Sequence, residues 1–203
     1  ALLTLKRDCV LGLATGSTPV GMYKELQRRN RNGEISFKDV KTVNLDEYYP
    51  ISPDNEQSYR HFMNENLFNH VDINLSNTHV LNGLAEDPDK ECAEYDALID
   101  SLGGIDLQVL GIGRNGHIGF NEPDEFLVPV THKTKLTEST IEANSRFFAS
   151  LDEVPRYSLT MGMGSILKAR KIIILVSGKE KKEAARRMME GVLDTRCPAS
   201  FLS

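Results

Sequence analysis

Ile172-Ile173-Ile174-Leu175-Val176 is a continuous apolar run rich in β-branched side chains. Such a run is typical of a β-strand covered on both faces, because a strand with one solvated face alternates apolar and polar side chains. Strands of that kind occur in parallel sheets with a layer of helices on each side. The run therefore predicts a strand of an α/β fold.

Similar apolar segments recur along the chain, separated by stretches with helical periodicity. The predicted strands cover residues 9–13, 40–45, 78–81, 107–112, 157–161 and 171–177, and the predicted helices cover residues 19–30, 58–69, 89–102, 137–146 and 179–190. This alternation predicts a three-layer α/β fold, in which a mainly parallel, Rossmann-like sheet has helices on both faces. Since no repeat or linker divides residues 1–203, we expect a single domain.

The composition limits the classes of function. A chain of 203 residues with 40% hydrophobic and 26% charged residues can bury a sizeable core. Its net charge of −5, without a long basic run, argues against a nucleic-acid partner. No apolar run is as long as a membrane span. The three cysteines, Cys9, Cys92 and Cys197, lack metal-ligand spacing, so we expect reduced, mostly buried thiols of a cytoplasmic protein and no zinc.

Residues 111–123 read Gly-Ile-Gly-Arg-Asn-Gly-His-Ile-Gly-Phe-Asn-Glu-Pro and begin with a literal G-x-G-x-x-G. A dinucleotide site needs a helix directly after those glycines. Gly119 and Pro123 interrupt any helix there. The segment is therefore predicted to be a ligand-holding loop, in which His117 and Glu122 can move protons, although a structural histidine is the alternative.

Two other loops follow predicted strands, where ligands bind in open parallel sheets. In residues 14–19, Gly16 allows close approach, Ser17 and Thr18 add hydroxyl donors, and Thr18 is expected to be the N-cap of the next helix. This loop is predicted to bind phosphate, with an ordinary capped helix start as the alternative. In residues 44–50, Asp46 and Glu47 offer one carboxylate as a base, with a solvated pair of charges as the alternative.

These loops, in this order, resemble the glucosamine-6-phosphate deaminase family. The matching segments are residues 11–19, 43–48, 111–123, 143–148 and Gly178-x-x-Lys181, which span nearly the whole chain. The resemblance implies a NagB-type fold and the isomerising deamination of glucosamine 6-phosphate to fructose 6-phosphate and ammonia in amino-sugar catabolism. It implies no redox cofactor and no catalytic metal.

The resemblance also implies roles for single residues. Asp46 is the matching base that carries a proton from C2 to C1. His117 is suited to the proton shuttle that opens the sugar ring, and Glu122 can hold its imidazole and stabilise its charged form. Asn115 stands where many members have aspartate; it can orient His117 by hydrogen bonding, and we expect activity to be retained.

The phosphate of the substrate is expected to lie in the cup formed by Gly16, Ser17 and Thr18. Arg146 adds a guanidinium fork and Lys181 an ammonium point charge. These contacts are expected to place C1 and C2 over the base.

This chain differs from the family pattern in two ways, which concern its assembly and its length. Hexameric members activated by N-acetylglucosamine 6-phosphate carry Arg and Lys where this chain has His132 and Thr134, so we expect an unregulated monomer or low-order homo-oligomer. The chain starts without Met, and residues 199–203 end where family members continue into another strand and helix. We therefore expect a fold truncated at both ends, with an exposed sheet edge.

Two other functions share this fold. A 6-phosphogluconolactonase also has a glycine-rich phosphate loop and a loop histidine, but it lacks the continuation seen here in residues 120–123. A sugar-phosphate-sensing domain of a transcription regulator binds ligand without turnover. Such a regulator needs a DNA-binding segment, and none is evident in this chain.

Overall fold

The computed structural model describes residues 1–145, 148 and 150–203. Its strands are β1 (Val10–Leu13), β2 (Lys41–Asn44), β3 (Asp46–Tyr49), β4 (Thr78–His79), β5 (Leu107–Leu110), β6 (His132–Lys135), β7 (Tyr157–Thr160) and β8 (Ile172–Ile174). Its α-helices are α1 (Leu2–Leu5), α2 (Val20–Arg31), α3 (Tyr59–Asn66), α4 (Pro88–Ser101), α5 (Glu138–Asn144), α6 (Met163–Leu167) and α7 (Lys182–Met189). Short 3₁₀ turns occur at Phe68–His70, Leu75–Asn77, Leu151–Glu153, Lys179–Lys181 and Pro198–Leu202.

The main sheet is parallel and has the strand order β4-β2-β1-β5-β8. Side chains of β1 alternate between its two faces, as a strand requires. Val10 joins a core with residues of α4, α6 and α7, whereas Leu11 and Leu13 join a second core with residues of α2 and α3. The predicted three-layer α/β fold is therefore confirmed.

A second, antiparallel sheet has the order β3-β7-β6. Leu45 connects the two sheets, because its N–H donates to Leu13 and its carbonyl accepts from Met161. The sequence placed residues 157–161 among the strands of the parallel sheet, and that placement is wrong. The flanking strands β3 and β6 are polar, so neither has the apolar run that would reveal a separate sheet.

The strand that was predicted to be covered on both faces, β8, lies at an edge of the main sheet. Ile172 and Ile174 pack against the core, while Ile173 is 44% exposed. Coverage depends on the position of a strand in its sheet, which the local apolar run does not encode.

The structure bears on two expectations from the composition, which concern the cysteines and membrane-spanning segments. Cys9, Cys92 and Cys197 are buried and unbridged, as predicted. Within the described ranges, none of the helices combines the length and the apolar character needed to cross a membrane.

Candidate active site

The carboxyl edge of the parallel sheet gathers the predicted functional segments. Neighbouring strands β2, β1 and β5 lead respectively into Asp46, the cup at residues 16–18 and the loop at residues 111–123. The outer strand β8 pairs with β5 and leads toward Lys181. Parallel strands end at one edge of a sheet, so these four segments leave the sheet on the same side.

Asp46 is buried, with 6% of its surface exposed, at the start of β3. It is paired in register with Thr160 of β7, whose hydroxyl accepts a hydrogen bond of 3.2 Å from the backbone N–H of Phe120. This bond joins the strand beside Asp46 to the loop that carries His117. The structure thus connects two of the predicted catalytic segments through one residue.

Burial, and after it the charge of Glu47, raises the pKa of Asp46 to about 8. A carboxyl group with that pKa can both accept and return a proton near neutral pH. The environment of Asp46 therefore suits a general base.

Glu47 has a structural role instead. It is 2% exposed, and its carboxylate accepts from the backbone N–H groups of Tyr48, Tyr59 and Arg60 at 2.8 to 2.9 Å. Tyr59 and Arg60 open α3, so Glu47 caps that helix beside the N-cap Ser58. Burial raises the pKa of Glu47 to about 7, although these N–H groups favour its charged form. The alternative of a solvated pair of carboxylates is wrong, because both side chains are buried.

His117 lies in a tight turn that depends on glycine. The N–H of Gly113 donates to the carbonyl of His117 at 2.9 Å, and a Cβ on Gly113 would collide with the imidazole ring. The turn residue Gly116 has φ +89°, in the left-handed region that favours glycine. The loop is irregular rather than helical, which confirms that the G-x-G-x-x-G is not a dinucleotide fingerprint.

Glu122 faces His117 across this turn. Its Oε2 accepts from Asn115 Nδ2 at 2.7 Å and lies 3.5 Å from His117 Nδ1, while its Oε1 accepts from Thr140 Oγ1 at 3.1 Å. The contact with His117 Nδ1 lacks hydrogen-bond geometry and is electrostatic. Burial opposes the ionisation of Glu122, but these three partners together lower its pKa below the ordinary value. Glu122 is therefore poised as a carboxylate beside the imidazole.

Asn115 was expected to orient the ring of His117 directly. Its Oδ1 instead accepts from the backbone N–H of His117 at 3.2 Å, and its Nδ2 holds Glu122. The amide thus fixes the turn and the carboxylate, and through them the place of the imidazole.

An aromatic cluster beside Asp46 was not predicted from the sequence. Tyr48 contacts Tyr59, Phe120 and Phe148, with ring centroids 4.8 to 5.9 Å apart. Tyr48 lies two residues after Asp46 on β3, and therefore on the same face of the strand. Its aromatic neighbours come from α3, from the histidine loop and from the segment after α5. Tyr48 and Phe120 are visible in the predicted functional loops, but their contact with each other depends on the fold and cannot be read from the sequence.

The predicted phosphate cup is open and solvated. Gly16 has φ +89° with open space on its Cβ side, and Ser17 and Thr18 are exposed just before the 12-residue helix α2. The expected N-cap is wrong: α2 begins at Val20 and Pro19 occupies the cap position without a side-chain hydrogen bond. Free hydroxyl and backbone donors at a helix start remain suited to an anion.

Lys181 is half-buried in the 3₁₀ turn that precedes α7. Burial and the positive charge of Arg114 lower the pKa of its ammonium group. Arg114 lies next to Asn115 in the histidine loop and was not predicted to be functional, although it is the cation within that motif. Arg146, the other predicted phosphate ligand, lies outside the described residues. Among the described residues, no cluster of three His, Cys, Asp or Glu side chains could hold a metal ion.

The C-terminal segment supports the histidine loop from behind. Ala199 N–H donates to the carbonyl of Gly116 at 2.9 Å, and a Cβ on Gly116 would lie 2.5 Å from Cys197 Sγ. We expect Gly116→Ala to lower the free energy of unfolding by about 3 kcal/mol, because left-handed backbone strain adds to overpacking. Urea unfolding checks this value.

Gly33→Ala is the matched control, since Gly33 has φ +72° but open space around its Cβ. It should cost about 1 kcal/mol, from backbone strain alone. Removing Sγ in the double variant Gly116→Ala/Cys197→Ala should recover part of the loss. Equal costs at both glycines would show that the Cys197 contact does not matter.

The family model for glucosamine-6-phosphate isomerases/6-phosphogluconolactonase matches residues 1–203. The glucosamine-6-phosphate deaminase of Clostridium beijerinckii is 58% identical over 99% of this chain and 83% of its own length. That of Clostridioides difficile is 54% identical over 100% of this chain and 81% of its own length.

Two solved structures are similar to this chain to different degrees. The structure of a monomeric glucosamine-6-phosphate deaminase of the NagB superfamily superposes with a TM-score of 0.95 and 48% identity, covering 98% of this chain and 83% of that one. A 6-phosphogluconolactonase from Thermotoga maritima has a TM-score of 0.74 and 23% identity, with coverage of 98% and 83%. The lactonase likeness shows the fold alone.

Proposed function

The chain belongs to the family of glucosamine-6-phosphate isomerases and 6-phosphogluconolactonases, and from that membership we propose that residues 1–203 form one catalytic domain for the isomerising deamination of glucosamine 6-phosphate. Identity of more than half of the residues with the named deaminases of Clostridium beijerinckii and Clostridioides difficile supports this activity over the lactonase. The observation that carries the proposal is the site itself. A buried carboxyl with a raised pKa, Asp46, is joined through Thr160 to the loop with the pair His117 and Glu122.

The first step opens the pyranose. A base takes the proton of the anomeric hydroxyl while the ring oxygen receives a proton, so the C1–O5 bond breaks and C1 becomes an aldehyde. His117 performs both transfers, because an imidazole can accept and donate near neutral pH. The Glu122 carboxylate, 3.5 Å from Nδ1, stabilises the imidazolium formed between them.

The second step moves a proton between carbons. Asp46 takes the proton from C2, the electron pair of that C–H bond forms a C1=C2 double bond, and the C1 oxygen takes a proton from water. Asp46 then returns its proton to C1 while the nitrogen releases one proton to the hydroxide left by that water, which leaves a neutral C2 imine. Water adds at C2 and ammonia departs, giving fructose 6-phosphate. The overall balance is glucosamine 6-phosphate plus water to fructose 6-phosphate plus ammonia.

The phosphate end of the substrate needs positive charge and donors away from the reacting carbons. We assign this role to Gly16, Ser17 and Thr18 with Lys181 and Arg146. The solvated cup before α2 and the position of Lys181 after β8 support the assignment, since both lie at the carboxyl edge of the sheet. Arg114, close enough for its charge to affect Lys181, adds to the same positive region.

Release of ammonia from glucosamine 6-phosphate, coupled to detection of fructose 6-phosphate, tests the function. We expect kcat/KM to rise with pH through a midpoint near pH 8 and to level off above it, because Asp46 must be ionised and its pKa is raised to about 8. Below that midpoint, the value should fall roughly tenfold for each pH unit.

Two further measurements distinguish the alternative functions. Hydrolysis of 6-phosphogluconolactone should be absent. Ligand binding without ammonia release would identify a sensing domain instead of an enzyme. A profile that is already level at pH 5 would show that Asp46 has an ordinary carboxyl pKa and is not the base described here.

The proposal extends to the assembly of the protein and its location in the cell. We propose a monomer or low-order homo-oligomer without activation by N-acetylglucosamine 6-phosphate. The resemblance described above implies that His132 and Thr134 replace cations of regulated members, and the structural relative with a TM-score of 0.95 is monomeric. We also propose a cytoplasmic location, which the three buried, unbridged cysteines support.

A further inference from the structure

The two oxygens of Glu122 have separate sets of partners. Oε2 faces Asn115 and His117, which belong to the same loop as Glu122. Oε1 accepts a hydrogen bond of 3.1 Å from Thr140 Oγ1, which belongs to α5. The bond from Thr140 therefore reaches the ring-opening pair from a different element of the fold.

The hydroxyl of Thr140 is itself oriented. Thr137 Oγ1 donates to Thr140 Oγ1 at 2.9 Å and accepts from the Thr140 N–H at 3.2 Å, as the N-cap of α5. Because Thr140 Oγ1 receives that bond, its proton points to Glu122. Hydrogen bonds arranged in such a chain strengthen one another.

Helix α5 is held in place by its neighbouring side chain. Ile141 is buried in a cluster with Tyr48, Phe120, Leu136 and Val154. Tyr48 follows Asp46 on β3, and Phe120 lies in the histidine loop. The packing of Ile141 thus fixes Thr140 relative to both predicted catalytic segments.

We propose that Thr140 is a positioning residue for the ring-opening step: its hydroxyl, oriented by Thr137, holds Glu122 as a carboxylate facing His117. The proposal rests on the function proposed above.

The electrostatics agree with the geometry. The described groups that face Glu122 are His117 and Asn115 from its own loop and Thr140 from α5, and of these His117 is the titratable one. A hydroxyl that donates to a carboxylate favours the ionised form. Without the hydroxyl, Glu122 loses one of the donors that lower its pKa.

The test compares Thr140→Val, which keeps the shape but removes the hydroxyl, with Thr140→Ser, which keeps the hydroxyl. Titration of the Glu122 carboxyl carbon by NMR in the substrate-free protein is the first measurement. We expect Thr140→Val to raise its midpoint by roughly one pH unit and Thr140→Ser to leave it near the wild-type value. For glucosamine 6-phosphate, kcat should fall roughly tenfold in Thr140→Val with little change in KM.

The outcomes separate the two proposals. An unchanged Glu122 titration in Thr140→Val would overturn the role of the hydroxyl. Equal losses of kcat in the valine and serine variants would also overturn it, because they would indicate packing alone. A third outcome combines a raised Glu122 midpoint in Thr140→Val with no ammonia release by the wild-type protein. It would support the contact between Thr140 and Glu122 while rejecting the deaminase function.

Discussion

Replacing Asp46 with asparagine is expected to lower kcat for glucosamine 6-phosphate by roughly 10³- to 10⁴-fold, with KM changed by less than about threefold. Asparagine has nearly the same shape as aspartate but cannot accept the C2 proton. No other carboxylate can replace it from β3, because Glu47 is directed to the start of α3 by three backbone N–H groups. Exchange of the C2 hydrogen in D₂O should stop together with ammonia release.

Stability distinguishes this loss from misfolding. Asp46 is buried beside Glu47, and its ionised form is disfavoured by that environment. A neutral amide relieves this cost, so Asp46→Asn should unfold at the same or a higher urea concentration than the wild type at pH 8. Asp39→Asn, at an exposed position, is the control and should leave both properties unchanged. Substantial C2 exchange in a folded Asp46→Asn protein would remove Asp46 from the mechanism.

The fold was predictable where the sequence contains apolar runs. Each strand of the parallel sheet lies within a predicted segment, because these segments are rich in apolar and β-branched residues even where the strand itself is partly polar, as in β2, which reads Lys-Thr-Val-Asn. The antiparallel sheet has no such signal: β3 reads Asp-Glu-Tyr-Tyr and β6 reads His-Lys-Thr-Lys. These strands are specified by pairing with β7 and by the turn of the chain at Leu45, which are tertiary properties.

The site was predictable where reactive residues directly follow a predicted strand. The rule that ligands bind beyond strand ends placed Asp46, residues 16–18 and residues 111–123 at one edge of the sheet, as the structure shows. Other contributions come from distant parts of the chain. Thr140 reaches Glu122 from α5, and Cys197 packs behind Gly116. Such contacts cannot be read from spacing, since the residues involved are ordinary in type and far apart in sequence.

Replacing His117 with alanine is expected to lower kcat/KM by roughly 10²- to 10³-fold, a smaller loss than that of Asp46→Asn. The reason lies in what each step can do unaided. A sugar ring opens slowly in water without a catalyst, so a protein without His117 still receives some open-chain substrate. Transfer of the C2 proton has no comparable route at neutral pH, so the loss of Asp46 cannot be bypassed.

This difference gives the two variants separate kinetic signatures. As the concentration of His117→Ala is raised, the rate of ammonia release should reach a plateau, because spontaneous ring opening then limits the supply of substrate. With Asp46→Asn the rate should stay proportional to protein concentration. His70→Ala, in the exposed end of the turn Phe68–His70, is the control and should behave as wild type. If the rate with His117→Ala stayed proportional to its concentration and exceeded spontaneous ring opening, another group would have to open the ring, and the pairing of His117 with Glu122 would need a different explanation.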